Sequence, residues 1–203
     1  MKRSDPYIIG LTGGIACGKS HVARYMREAG IPVLDADAVS RSVTAGGGEA
    51  LPAIRALFGD AVFDGEELDR RALGKIVFAD SEKRRQLENI IHPLVISRMR
   101  RETEEAASPI VGWDVPLLYE TGLDRHCGEV WCVYADREEQ IRRIMKRDGL
   151  TAEEAEARID SQMPVREKMA RAARCIGTMG EREETRQLVL GLVEELKRRL
   201  CLE

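Results

Sequence analysis

Gly13-Gly14-Ile15-Ala16-Cys17-Gly18-Lys19-Ser20 satisfies the pattern G-x-x-x-x-G-K-[ST] at every specified position. No other stretch limits the fold as strongly, because this pattern works only as the turn between a buried strand and a helix. Both flanks are present. Tyr7-Ile8-Ile9-Gly10-Leu11 is a short apolar run of the kind a parallel sheet buries on both faces. After Lys19, Val22, Ala23 and Met26 recur at helical spacing, and Gly30 with Pro32 supplies a stop. In such a turn the glycines let backbone N–H groups approach a phosphate, and the helix N-terminus adds a favourable dipole. Lys19 then reaches the β- and γ-phosphates, and the Ser20 hydroxyl is placed for Mg²⁺.

The 203 residues suit one domain with appended segments. Lys+Arg 32 against Asp+Glu 35 leaves a net charge of −3, which gives no bulk basic charge for a nucleic-acid partner. The five cysteines, Cys17, Cys127, Cys132, Cys175 and Cys201, form no Cys-x-x-Cys pair, so neither a disulfide frame nor a zinc site is expected. Reduced thiols and a cytoplasmic location follow as expectations. No apolar run approaches the roughly 18 residues that span a bilayer, so no membrane partner is expected.

Ile31-Pro32-Val33-Leu34-Asp35-Ala36-Asp37 reads as a second strand with two acids at its C-terminal end, opening on the same crevice as the loop. If the extended geometry persists, Asp35 and Asp37 share a face; the alternative is that they cap the next helix. From Glu49 to Ala107 strands give way to helices: one to Phe58, one with Leu68, Ala72, Leu73, Ile76 and Val77 on one face, and one capped by Ser81 and broken or kinked at Pro93. Such an insertion either shapes an acceptor pocket or is a structural bundle. Ile110 to Pro116 and Val130 to Ala135 return to strand, and Asp114 resembles the strand-end carboxylate that helps hold Mg²⁺ in many NTPases.

Asp136 should cap a helix whose Ile141, Ile144 and Met145 form an apolar face, while Gln140, Arg143 and Arg147 share another and Arg142 and Lys146 add charge. This is either a solvated surface or a set of arginines brought over transferring phosphates. Thr151-Ala152-Glu153-Glu154 reads as a capping box that opens a second charged helix, so the pair resembles a mobile lid. Ala172 to Ile176 is the last expected strand, and Leu188, Leu192, Leu196 and Leu200 line a C-terminal helix.

Taken together, these stretches resemble the dephospho-coenzyme A kinase family. The residues that carry the resemblance run in family order along nearly the whole chain: Gly10 to Ser20; Asp35-Ala36-Asp37 with Arg41; Leu68-Asp69-Arg70 with Leu73 and Phe78; Leu87-Glu88 with His92-Pro93; Pro116-Leu117-Leu118-Tyr119-Glu120; Gln140 with Arg143 and Arg147; and Gln162. The resemblance implies an α/β P-loop kinase fold, a five-stranded parallel sheet flanked by helices, with a helical acceptor-binding insertion and a helical lid. It implies a nucleotide-binding core of residues 1–48, 108–136 and 165–203, an acceptor-binding domain of 49–107 and a lid of 137–164. The implied substrates are ATP and dephospho-coenzyme A, with Mg²⁺, in a monomer or weak homo-oligomer.

In these terms ATP lies along Gly13, Gly14, Ile15, Ala16, Cys17, Gly18, Lys19, Ser20 and His21. Asp37 takes or orients the hydroxyl proton, and Arg143 and Arg147 join Lys19 on the transferring phosphate. The resemblance also sets Arg41, Arg70, His92, Leu117 and Glu120 near the acceptor; the sequence alone equally reads His92 as a structural histidine. Two stretches depart from the family. Ala16-Cys17 stands where Gly-Ser is usual, and a thiol at a helix N-terminus beside Lys19 is expected to have a lowered pKa, unless it is simply an inert small residue. Arg174 to Gly180 replaces the usual Ala-Asp-x-x-x-x-Asn-x-Gly, so adenine contacts do not carry over. A kinase of nucleosides or nucleotides, and a non-enzymatic switch, are the rival classes.

Overall fold

The apolar run before the glycine-rich loop forms β1 (Tyr7–Gly13), and the loop hands the chain to α1 (Lys19–Glu28), in a computed structural model that describes residues 5–202. Next come β2 (Val33–Asp35), α2 (Ala36–Val43), α3 (Leu51–Phe58), β3 (Phe63–Asp64), β4 (Glu67–Leu68), α4 (Arg70–Ala79) and α5 (Ser81–Glu105). The chain ends with β5 (Ile110–Asp114), β6 (Glu129–Tyr134), α6 (Arg137–Asp148), α7 (Ala152–Asp160), α8 (Val165–Arg171), β7 (Arg174–Gly177) and α9 (Arg182–Arg199). It divides into two compact units, one running to Leu34 and resuming at Ala106, the other Asp35–Glu105.

In the first unit the parallel sheet has the order β2-β5-β1-β6-β7. β1 is central, with Leu11 opposite Asp114 of β5 and Trp131 of β6. Strands covered on both faces must be apolar throughout, and all five residues of β5 are buried. The approach is close: a Cβ at Gly13 would sit 2.4 Å from the Val133 carbonyl oxygen. Because the strands are parallel, their C-terminal ends open together on the loop, where ligands of such sheets bind. Ile9, Leu11, Val22, Met26, Val189 and Val193 build the core around β1, α1 and α9. Of the leucine stripe expected along α9, Leu196 is buried and Leu192 and Leu200 pack against the core beside Val189 and Val193, whereas Leu188 is 45% exposed. Met145, expected on the apolar face of α6, is likewise exposed, and buried Gln140 takes its place beside Ile144. Asp136 occupies the cap position of α6 but its side chain makes no capping bond.

The second unit has its own core of Ala50, Ile54, Val62 and Leu73, with Phe58, Leu87 and Ile90 packed against it. It is not wholly helical, because β3 and β4 form an antiparallel hairpin around the Asp64-Gly65 turn, where Gly65 takes φ +61°. Aspartates start α2, α4 and α5. Asp35 accepts hydrogen bonds from the N–H groups of Asp37 (2.9 Å) and Ala38 (3.1 Å), Asp69 caps α4, and Asp80 accepts from Glu82 (2.8 Å) and Lys83 (3.1 Å). For Asp35 the capping alternative holds, and for α5 the expected cap is corrected. The strand stops at Asp35, because its carboxylate captures the first free amides of a helix, so Asp37 lies in the first turn of α2 rather than along a strand. Asp80, not Ser81, caps α5. That helix is assigned as one element through Pro93, with Val95 and Met99 buried beyond it and α2 and α4 packed along it. Tertiary packing has outweighed the bond that proline removes. Among the described residues no helix is long and apolar enough to cross a membrane.

Candidate active site

The glycine-rich loop is held by its carbonyls. Gln140 Nε2 donates to the Ile15 carbonyl (2.8 Å), Arg143 Nη1 to that of Ala16 (3.2 Å) and Thr178 Oγ1 to that of Cys17 (2.8 Å). Three successive peptides are therefore oriented from outside, by α6 and by the segment after β7. Gly18, at φ +83°, makes the turn into α1. Ala16 takes φ +57°, a left-handed conformation that costs a residue with a Cβ about 1–2 kcal/mol. This gives a physical reason for a glycine at that position.

Lys19 Nζ donates to Asp114 Oδ1, with side chains only 19% and 12% exposed. The ammonium, the strand-end carboxylate and the exposed Ser20 at the start of α1 thus stand at the carboxyl edge of the sheet. Beside them lies a cavity of about 730 Å³, lined by Ala16, Gly18, Ser20, His21, Tyr25, Arg143, Arg147, Thr178 and Met179. Its size suits a nucleotide-sized ligand. Burial, reinforced by Arg182, Arg24 and Arg143, lowers the pKa of His21, which leaves it neutral at pH 7.

The two arginines expected on the phosphate are arranged differently. Arg143 is spent on the protein: Nε binds Glu139 (2.6 Å), Nη1 binds Thr178 Oγ1 (3.0 Å) besides Ala16, and Nη2 binds the Thr178 carbonyl (2.6 Å). Hydrogen bonds from Arg142 and Arg143 hold the Glu139 carboxyl at about 2, so it stays ionised. Arg147 is 57% exposed and, among the described residues, pairs only with Asp148, at 2.8 and 2.9 Å, a carboxylate that it shares with Arg158 (2.7 Å). The Thr151–Glu154 capping box opens α7 as expected. Thr178, which links the loop, Arg143 and the cavity, is the residue that the sequence did not reveal; its position just after the last strand was the available signal.

Lys168, fully buried on α8, pairs with Glu120 Oε1 (2.8 Å) and donates to the Pro116 carbonyl (2.9 Å), which also accepts from Thr12 (3.0 Å). Glu120 Oε1 accepts from the Met163 amide as well (3.2 Å). A lone buried ammonium is far costlier than a partly exposed carboxylate, so the two ends of this pair are unequal. Glu120→Ala is expected to destabilise the chain by about 3 kcal/mol, and Lys168→Met by clearly less. Urea unfolding of both variants checks the order.

Cys17 corrects an expectation. It is 1% exposed, and burial pushes its thiol pKa up, not down, despite the helix N-terminus and Lys19. Iodoacetamide at pH 7.5 should therefore label the exposed Cys175 and Cys201 well before Cys17, as peptide mass mapping would record. Leu117 is 41% exposed. In the second unit Asp37 and Arg41 are exposed, His92 is half-buried on α5, and Arg70 donates to the Arg41 carbonyl (3.1 Å) and to Thr44 Oγ1 (3.0 Å). Arg70 thereby serves the carbonyl end of α2.

A parallel sheet with a phosphate loop at its central strand, a lysine facing a strand-end carboxylate, and arginines on the helix beside them define a P-loop kinase. The family model described as dephospho-CoA kinase matches residues 7–184. The chain belongs to the dephospho-coenzyme A kinase family. It is 46% identical over 191 residues to the dephospho-CoA kinase of Geobacillus kaustophilus, covering 92% of this chain and 95% of that one. A solved Thermus thermophilus structure superposes with a TM-score of 0.82 at 38% identity, over 95% of this chain and 99% of the other. The dephospho-CoA kinase structure from Campylobacter jejuni gives 0.73 at 27% identity, over 94% and 97%.

Proposed function

We propose that the chain transfers the γ-phosphoryl group of ATP to the ribose 3′-hydroxyl of dephospho-coenzyme A, the last step of coenzyme A biosynthesis, in the cytoplasm. The observation that carries the reading is the loop from Gly13 to Ser20 with Lys19 against Asp114, in a chain of this family. The nucleotide's phosphates lie over the loop amides and the N-terminus of α1, with its base in the cavity toward Thr178 and Met179. One hydroxyl and one carboxylate, Ser20 and Asp114, are the hard oxygen donors that Mg²⁺ takes alongside substrate phosphates. When bound there, Mg²⁺ offsets charge on the β- and γ-phosphates.

Lys19 exchanges Asp114 for the γ-phosphate as the nucleotide enters. Arg143, with four hydrogen bonds to the protein, braces the loop, and Arg147 turns from Asp148 to the transferring group. Asp35 is committed as a helix cap, which leaves Asp37 as the carboxylate for the acceptor. Asp37 receives the proton as the 3′-oxygen bonds to the γ-phosphorus and the bond to the bridging oxygen of ADP breaks. Arg41, Arg70, His92, Leu117 and Glu120 serve the acceptor. Release of ADP from Mg-ATP, measured with dephospho-coenzyme A, adenosine, AMP and other nucleosides in turn, tests the reading. Release with dephospho-coenzyme A alone is expected; preference for a nucleoside or nucleotide would contradict it.

A further inference from the structure

Two cavities border the phosphate loop. The one described above touches its second half, at Ala16, Gly18 and Ser20; another, of about 510 Å³, touches its first half, at Gly14 and Ile15. α6 stands between them, since Gln140 lines the second cavity and holds the Ile15 carbonyl, while Arg143 lines the first and holds that of Ala16. The far wall of the second cavity is the segment joining α7 to α8, including Gln162, Met163 and Val165, with Arg166 on the first turn of α8. Arg137, on the same cavity, is neutralised by Asp160 at 2.8 and 3.0 Å. Arg166 is exposed and has no carboxylate partner among the described residues. The Met163 amide is tied to Glu120, whose partner Lys168 is fully buried, so this wall is braced from behind.

Phosphoryl transfer requires the attacking and leaving oxygens to lie roughly in line across the phosphorus. With the donor in the cavity at the second half of the loop, the cavity across α6 at the first half is left for the acceptor. A free guanidinium there suits a diphosphate, which it binds bidentately and more strongly than a lysine would. We infer that the second cavity takes the diphosphate-bearing part of the acceptor and that Arg166 binds its diphosphate bridge, with Gln162 as a neutral donor beside it and Met163 and Val165 as the apolar wall. This rests on the proposed function, because dephospho-coenzyme A is the acceptor that carries such a bridge.

Steady-state kinetics with each substrate varied in turn test the inference on the full chain. Arg166→Met should raise KM for dephospho-coenzyme A by about tenfold or more, the loss expected of a charge-assisted contact, and leave KM for ATP within about twofold. Arg166→Lys should recover part of the loss, and Met163→Trp, which narrows the cavity, should give the same split. An unchanged KM for dephospho-coenzyme A in Arg166→Met, or an equal rise for both substrates, would overturn the assignment. If the unaltered protein leaves dephospho-coenzyme A unmodified, the functional reading itself fails, and the wild-type control separates that outcome from a failure of Arg166.

Discussion

Lys19→Met is expected to lower kcat about 10²–10³-fold, the usual loss when one preorganised donor to a developing charge is removed. The reason lies in what the ammonium does at two stages. In the free chain it sits on Asp114 at the carboxyl edge of the central strands. In the proposed mechanism it then carries positive charge to the group being transferred, where charge builds up on the equatorial oxygens. Methionine keeps the length of the side chain but takes the ammonium from Asp114, whose side chain is 12% exposed, so some loss of thermal stability should accompany a far larger loss of turnover. Turnover within threefold of the unaltered protein would remove Lys19 from the chemistry.

Asp37→Ala is expected to remove most of the turnover, about 10²–10⁴-fold for the loss of a general base, with ATP affinity nearly intact. Asp35→Ala makes an informative contrast. Asp35 caps α2 through two amides, so its loss should appear as about 1 kcal/mol of stability and as far less than Asp37's effect on kcat. Titration with a fluorescent ATP analogue and single-turnover rates separate binding from chemistry. Normal turnover in Asp37→Ala would refute the assignment of the proton acceptor.

Much of this chain was legible because its local signals agree with its fold. The strand, loop and helix around Gly13–Ser20, the apolar β6 and the Thr151–Glu154 capping box each follow from short-range rules. What escaped depends on partners distant in sequence. Lys168 and Glu120 are 48 positions apart, and neither has a local signal that it will meet a charge. Thr178 lies in the stretch that departs from the family's usual pattern, yet its hydroxyl holds the loop from 161 residues away. Arg143 and Arg147 share one helical face by spacing alone, and only the positions of Thr178, Ala16 and Asp148 distinguish brace from free side chain. Competing caps explain the smaller errors. Asp80 and Ser81 are both good caps, and the aspartate at the earlier position captured the amides. For Cys17 the helix N-terminus and Lys19 argued for a lowered pKa, but burial raises it, outweighing the backbone hydrogen bonds and the charges of Arg143 and Lys168 that lower it.

The central claim is that the γ-phosphoryl group reaches the 3′-hydroxyl of dephospho-coenzyme A. Incubation of the protein with Mg-ATP and dephospho-coenzyme A, followed by the mass and ³¹P spectrum of the product, tests it most directly. The account predicts gain of one phosphoryl group, a new monoester signal assignable to the ribose 3′ position and an unchanged diphosphate bridge. Unmodified dephospho-coenzyme A, or a phosphoryl group at any other position, would contradict it.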